Sequence, residues 1–369
     1  MESVYSGKKN CCGCGLCEAR CPKRAITMKE DAEGFLYPEI DGALCVACGL
    51  CVKSCPLLRK DRFKEADEPC FYAATHKSEE VLMRSTSGGA FTALSDVVLR
   101  RGGVVYGADF DDELCVVHRA ARASEGRDRM RLSKYVQSDI RSVLAAIKED
   151  AARGPALFTG TPCQCAAVRA LFDGAEPAEL FICDLICHSV PSPLIWEEYK
   201  KLLGRERGGK VTAAQFRSKK YEWNRDNSNK GFIYRVEGAQ EEFEDERYYR
   251  LFVRERLISR PSCGVCPFTD TRRPSDMTIA DCWGIEKYAP ELCDRRGVSL
   301  IMTNTKKGGE MLDAMSKDIS IFLRPKEEIT AEQQRLSKAV PFPQERAAFW
   351  EAFRRFGFDE ALKIYGNDR

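Results

Sequence analysis

The chain has 369 residues, 44% hydrophobic and 31% charged, and its 58 Lys and Arg against 56 Asp and Glu give a formal charge of +2. That balance excludes a nucleic-acid groove and an acidic tail, no apolar run reaches the roughly eighteen residues of a membrane span, and the length asks for more than one domain. The opening MESVYSGKKN has no apolar core, so no secretory signal is expected and the protein is placed in the cytoplasm, where thiols stay reduced. Nineteen cysteines in such a compartment are metal ligands, catalytic groups or small core residues. Only three histidines occur, His76, His118 and His188, too few for a multi-histidine metal site.

Residues 1–59 carry two matching cysteine runs. NCCGCGLCEARCP fits C-x2-C-x2-C-x3-C-P as Cys11, Cys14, Cys17, Cys21 and Pro22. LCVACGLCVKSCP repeats the spacing as Cys45, Cys48, Cys51, Cys55 and Pro56. This is the bacterial ferredoxin pattern, in which the fourth cysteine of each run serves the other run's cluster. One 4Fe–4S cluster is therefore expected on Cys11, Cys14, Cys17 and Cys55, and a second on Cys45, Cys48, Cys51 and Cys21. Cys12 falls out of register, beside a ligand rather than being one. Structural zinc favours two separated CxxC pairs, not two runs of four closed by proline. The expectation is a small α+β ferredoxin-like domain at 1–59, which conducts electrons and needs a partner to supply or accept them.

The charged stretch RKDRFKEADEP reads as a linker over 60–69, and α/β texture begins at about Cys70. GGAFTALSDVVLRRGG sets Phe91, Leu94, Val97 and Val98 at helical spacing and stops at Gly102-Gly103. VVYGADF follows as a strand, DIRSVLAAIKEDAARG as an amphipathic helix, PALFTG as a buried strand, CQCAAVRALF as a helix and ELFICDLIC as a second apolar strand. Such alternation predicts βαβ units around a mostly parallel or mixed sheet over 70–330. SKKYEWNRDNSNKG reads as a polar surface loop, and QERAAFWEAFRRFGFDEALKIY, within 331–369, as two short closing helices.

Six ordered motifs, STSGGAF, SKYVQSD, FTGTPCQ, LICHSVPSP, RPSCGVCPF and SDMTIADCWGI, span Ser85 to Ile285. Through them the chain resembles the coenzyme F-420 hydrogenase/dehydrogenase beta-subunit family, in the form that carries an N-terminal ferredoxin domain. The resemblance implies a flavoprotein oxidoreductase, usually with FAD (FMN remains open), and an additional 4Fe–4S cluster close to the flavin. It further implies electron transfer between a two-electron carrier such as coenzyme F-420 and a one-electron partner such as ferredoxin or another redox protein.

Within that frame, Ser85, Ser87, Gly88 and Gly89 precede a helix whose free amides suit a flavin phosphate or ring carbonyl, although such a turn also serves as plain capping. Lys134 could set a positive charge near the reduced ring, or be a solvated lysine at a helix start. Gly160, Thr161 and Pro162 lie at the carboxyl end of a strand, where open α/β sheets bind ligands. Cys163 at the following helix N-terminus is expected to favour thiolate. With Cys187, Cys263 and Cys266 it forms the expected third cluster, with Cys165 and Cys183 as nearby competitors and a structural zinc as the rival occupant. The remaining cysteines are expected mostly in the core, and His188 beside a ligand is expected to hydrogen-bond rather than transfer protons. Ala280 stands where relatives generally have glycine, and Trp283 could cover a ring or fill the core. Two other functions fit the same motifs: a reductase of another organic substrate, and a non-enzymatic electron-transfer subunit of a larger hydrogenase or dehydrogenase complex.

Overall fold

The computed structural model of the chain describes residues 4–59, 68–227 and 230–366. The expected linker falls mostly outside the described residues, at 60–67, as do residues 228–229 of the polar loop.

In the N-terminal segment each cysteine run turns into a short helix, Leu16–Ala19 and Leu50–Ser54. Gly15 and Gly49 precede them with φ of 71° and 74°, left-handed values that only glycine adopts without steric cost. The antiparallel ribbon of β1 (Ile26–Glu30) and β2 (Leu36–Ile40) joins the two runs. This ferredoxin-like unit is packed against the rest rather than tethered to it. Leu16 is fully buried in the same core as Leu144, Ile147 and Val168. Ser192 Oγ donates to the Glu33 carbonyl at 2.6 Å, and Arg346 pairs with the Glu33 carboxylate.

The larger unit is α/β. In chain order its strands are β3 (Cys70–His76), β4 (Val104–Phe110), β5 (Val116–Ala121), β6 (Ala156–Gly160) and β7 (Leu180–Leu185). Next come β8 (Val211–Gln215), β9 (Ile233–Val236) and β10 (Phe243–Glu244), and last β11 (Met277–Asp281), β12 (Ser299–Thr303) and β13 (Ile319–Arg324). Strands β8 to β10 form a separate antiparallel sheet, and the other eight form one sheet in the order β13-β3-β12-β11-β7-β6-β4-β5. Among the described residues the parallel pairings join β4, β6, β7 and β11, which sit side by side in the middle. The flanking pairings are antiparallel, so the sheet is mixed.

Alternating side chains on those central strands feed two cores. Ala156 and Phe158 face Ile147 and Val168, whereas Leu157 faces Leu94 and Val98 of the helix Ala90–Arg100. That helix buries the face its spacing predicts, except that Phe91 is only half-buried. A third core around Trp196, Tyr199 and Phe216 lies under the C-terminal helices Glu345–Phe356 and Phe358–Tyr365. The polar loop departs from expectation: Trp223 is buried and stacks on Trp283 with ring centroids 4.8 Å apart.

Candidate functional site

The four parallel strands aim their carboxyl ends at one hollow. Ala108 of β4, Gly160 at the end of β6, Leu185 at the end of β7 and Asp281 at the end of β11 line a cavity of about 470 Å³. Open α/β sheets bind ligands at this edge, and the volume lies within the usual range for cofactor pockets.

Six of the eight expected cofactor contacts reach this cavity: Ser85, Ser87, Gly89, Lys134, Gly160 and Thr161. Gly88 does not line it. A Cβ there would lie 2.4 Å from the Ala74 carbonyl and 2.5 Å from the Ser299 amide, so this glycine lets the turn press against β3 and β12. Pro162 is buried as the first residue of the helix Pro162–Leu171. Gln164 accepts from the Thr161 amide at 2.9 Å and donates to Ser138 at 3.0 Å, which fixes the loop at the end of β6. The hydroxyls of Ser85 and Ser87 donate to the Val81 and Val298 carbonyls at 2.6 and 2.7 Å. Their remaining capacity is as acceptors.

Lys134 is half-buried rather than a free surface lysine. Its ammonium donates to the Arg131 and Arg129 carbonyls at 2.7 and 2.9 Å and lies 5.9 Å from the Phe110 ring centre. Burial lowers its pKa to about 8, against the pull of Asp109 in the other direction. Two further cations on the wall carry no sequence signal. Arg131 is 9% exposed and pairs with Asp128 at 2.9 Å, while its Nε and Nη1 find no hydrogen-bond partner among the described residues. Arg217 meets Asp281 at 2.6 Å and lies over the Trp283 ring at 5.6 Å. Trp283 therefore belongs to the wall of this cavity. His188 also lines it, edge-on to Phe252 at 5.4 Å, and burial lowers its pKa to about 4, so it is neutral.

Cys187 extends from the end of β7 into the wall of the cavity and begins a group of thiols. Burial drives its pKa well up, and Cys263, Cys163 and Cys266 add to the rise. Burial and the neighbouring Cys163 likewise push Cys263 up to about 12 and Cys266 up to about 11. Cys163 itself is held well above the ordinary thiol value, first by a hydrogen bond with Cys12 and then by burial. The expected thiolate-favouring effect of the helix N-terminus is outweighed there. The competitors Cys165 and Cys183 are both essentially unexposed: Cys165 donates to the Cys183 carbonyl at 3.4 Å, and Cys183 borders the cavity from β7.

The dicluster cysteines are brought together across the two runs. Cys21 of the first run joins Cys45, Cys48 and Cys51 of the second around one small hollow. Cys17 is pushed up to about 12, first by burial and then by Cys11 and Cys55. Cys12 lies between the two units, with its thiol against both Cys14 and Cys163.

The donor sets fit the groups they suggest. Thiols gathered in this way become thiolates when metal binds and supplies positive charge. Among the described residues, no three His, Cys, Asp or Glu close around a single ion. A four-iron cluster does not require that, since each thiolate takes its own iron. The cavity offers acceptor hydroxyls, three cations and a tryptophan, which suits a planar ring bearing anionic groups.

Two family models match parts of the sequence. Residues 10–57 match the 4Fe-4S dicluster domain. Residues 155–329 match the family model for the C terminus of the coenzyme F420 hydrogenase/dehydrogenase beta subunit. Among solved structures, a chain of the xenon-derivatized F420-reducing NiFe hydrogenase complex from Methanosarcina barkeri is 18% identical, with a TM-score of 0.49 over 79% of this chain and 94% of that one. No curated protein matches. No helix among the described residues is long and apolar enough to cross a membrane. Residues 155–329 thus match the C-terminal region of the coenzyme F420 hydrogenase/dehydrogenase beta subunit, and a 4Fe–4S dicluster domain lies ahead of them at residues 10–57.

Proposed function

We propose that the protein is a cytoplasmic iron–sulfur flavoenzyme. It passes electrons between a two-electron carrier such as coenzyme F420 and a one-electron partner such as ferredoxin. One observation carries the reading: Cys187 is shared between the cavity wall and a four-cysteine group, and that group abuts the first ferredoxin run through Cys12 and Cys163. A flavin in the cavity supplies the conversion between paired and single electrons. Cys163, Cys187, Cys263 and Cys266 hold the third cluster beside it, Cys11, Cys14, Cys17 and Cys55 the next, and Cys21, Cys45, Cys48 and Cys51 the outermost.

The chain's own residues then bind and orient. Gly160, Thr161 and Gln164 fix the loop above β6, Gly89 lets the 85–91 turn pack against His76 beside the cavity, and Arg131, Lys134 and Arg217 supply positive charge for anionic groups. Trp283 covers one side and limits water. No histidine is needed as an acid or base, in keeping with His188 and His118, both held near a pKa of about 4 by burial.

The test is oxygen-free purification followed by iron, sulfide and flavin analysis and stopped-flow mixing with reduced F420. About twelve irons per chain, one flavin and rapid flavin reduction are expected. A colourless protein or one holding zinc alone defeats the proposal. Full cofactors with no turnover of any small carrier would assign the chain to electron transfer within a larger complex.

A further inference from the structure

Arg260, the first residue of the RPSCGVCPF motif, has no role in the sites described above. Its side chain is fully buried, yet no carboxylate lies within 4.0 Å of it among the described residues. An arginine stays charged in any protein environment, and a buried charge without a counter-charge is costly. Among the described residues its hydrogen bonds go to neutral oxygens and a cysteine sulfur. Nε donates to the Cys11 carbonyl at 2.9 Å, Nη1 to Gln137 Oε1 at 3.1 Å, and Nη2 to the Leu36 carbonyl at 2.8 Å. Nη2 also reaches Cys11 Sγ at 3.8 Å, and the guanidinium lies 4.5 Å from the Tyr37 ring centre and 5.2 Å from that of Phe35.

The surroundings are shaped to admit this group. Gly13, with φ of +70°, would put a Cβ 2.6 Å from Nη1. Gln137 donates in turn to the Cys12 carbonyl at 2.8 Å, so the guanidinium and this amide together hold the loop that begins the first cysteine run. Three residues after Arg260 comes Cys263, whose amide donates to the Arg260 carbonyl at 3.0 Å. One residue thus anchors the backbone of one thiol group and places its charge on the sulfur of another.

We propose that Arg260 is the counter-charge of the cluster held by Cys11, Cys14, Cys17 and Cys55, and that it raises that cluster's reduction potential so that electrons arriving through the third site are drawn onto it. The inference rests on the cluster assignment in the proposed function. Reduction adds one electron, and hence one negative charge, to a site whose net charge is already negative. A fixed cation against a ligating sulfur favours that form, and net charge and hydrogen bonds to sulfur are among the features that set such potentials. No bond breaks and no proton moves, because the guanidinium is already charged.

The test uses the full chain purified without oxygen, with iron and sulfide counted and cluster midpoints read by redox titration with electron paramagnetic resonance. Wild-type protein without clusters would defeat the proposed function itself before any variant is compared. With clusters present, Arg260→Gln is expected to keep its iron and to lower one midpoint, so that its reduced-to-oxidised ratio at fixed potential falls at least about tenfold, about 59 mV for a one-electron couple. Arg260→Lys, which keeps the charge, should fall less far. Unchanged midpoints in Arg260→Gln overturn the proposal, and so does a lysine variant that falls as far as the glutamine one. Should Arg260→Gln lose its iron, the near-isosteric Gln137→Glu decides. It sets a carboxylate against Nη1, and it must lower one midpoint, or the proposal fails.

Discussion

Arg217 and Asp281 meet at 2.6 Å on the cavity wall, with side chains only 11% and 15% exposed. Asp281 also accepts from the Trp223 indole at 2.7 Å, which fixes the ring that stacks on Trp283. Asp281→Ala removes both acceptor roles at once. It leaves a mostly buried guanidinium unpaired, and breaking such a pair costs about 3 kcal/mol. Urea unfolding should show that loss, tryptophan emission should report the freed indole, and flavin should wash out on gel filtration. Flavin retained in full would separate this pair from the ligand site.

Arg273 and Asp184 form a second ion pair, at 3.2 Å and almost without exposure. Arg273 also donates to the Phe268 carbonyl at 2.6 Å and the Leu185 carbonyl at 3.0 Å. It therefore ties the loop after Cys263 and Cys266 to the strand end before Cys187. Arg273→Met should cost about 3–5 kcal/mol and release iron from the third site. Cys187→Ser should release the same iron, from about twelve to about eight per chain, whereas Cys165→Ala and Cys183→Ala should release none. Equal iron loss in the last two variants would redraw the ligand set.

How much of this is legible in the sequence depends on range. The ferredoxin runs are readable because ligand spacing is local: glycine-bearing loops of fixed length set where sulfurs can point. The βαβ stretch from Val104 to Leu185 is readable because its strands are short apolar runs separated by periodic helices. Strands β3, β12 and β13 give no comparable signal. They pair antiparallel with partners hundreds of residues away, as where Phe71 stands opposite Met302. Gly88 misleads for the same reason, since the atoms that forbid a Cβ belong to Ala74 and Ser299. Arg131 and Arg217 carry no signal, because a charged residue in a loop reads as solvated until tertiary structure buries it, and the motif that Arg260 opens draws attention to its cysteines rather than to the arginine. Trp223 sits in a polar stretch whose composition outweighs one aromatic.

His118 supplies a pH test. Its Nε2 donates to the Thr159 carbonyl at 2.9 Å, its ring stacks on Phe158 with centroids 5.2 Å apart, and Nδ1 has no partner among the described residues. Burial lowers its pKa to about 4, only partly offset by that hydrogen bond. The unfolded chain's histidine titrates near 6.5. Below about pH 6.5 the unfolded state therefore takes up a proton that the folded state refuses until about pH 4. This contribution to stability is complete above 6.5 and is lost as pH falls through that window, to a total of about 3 kcal/mol. Urea midpoints measured between pH 7.5 and 4.5 should fall less steeply in His118→Gln. Parallel slopes would mean that His118 is charged in the fold.

Cys12 gives the sharpest separation between a ligand and a neighbour. It is buried, out of register with the first run, and its thiol lies against Cys14 on one side and Cys163 on the other. If it only fills the contact between the two units, Cys12→Ala removes one buried sulfur from a packed site. The cost is then about 1–2 kcal/mol, with the iron count unchanged. Cys11→Ala, by contrast, takes a ligand and should lower the count by about four. Iron and sulfide assays on the two variants, prepared side by side without oxygen, distinguish the roles. A loss of about four irons from Cys12→Ala as well would make Cys12 a ligand and displace one of Cys11, Cys14 or Cys163 from its set, because a four-iron cubane with one thiolate per iron has no place for a fifth.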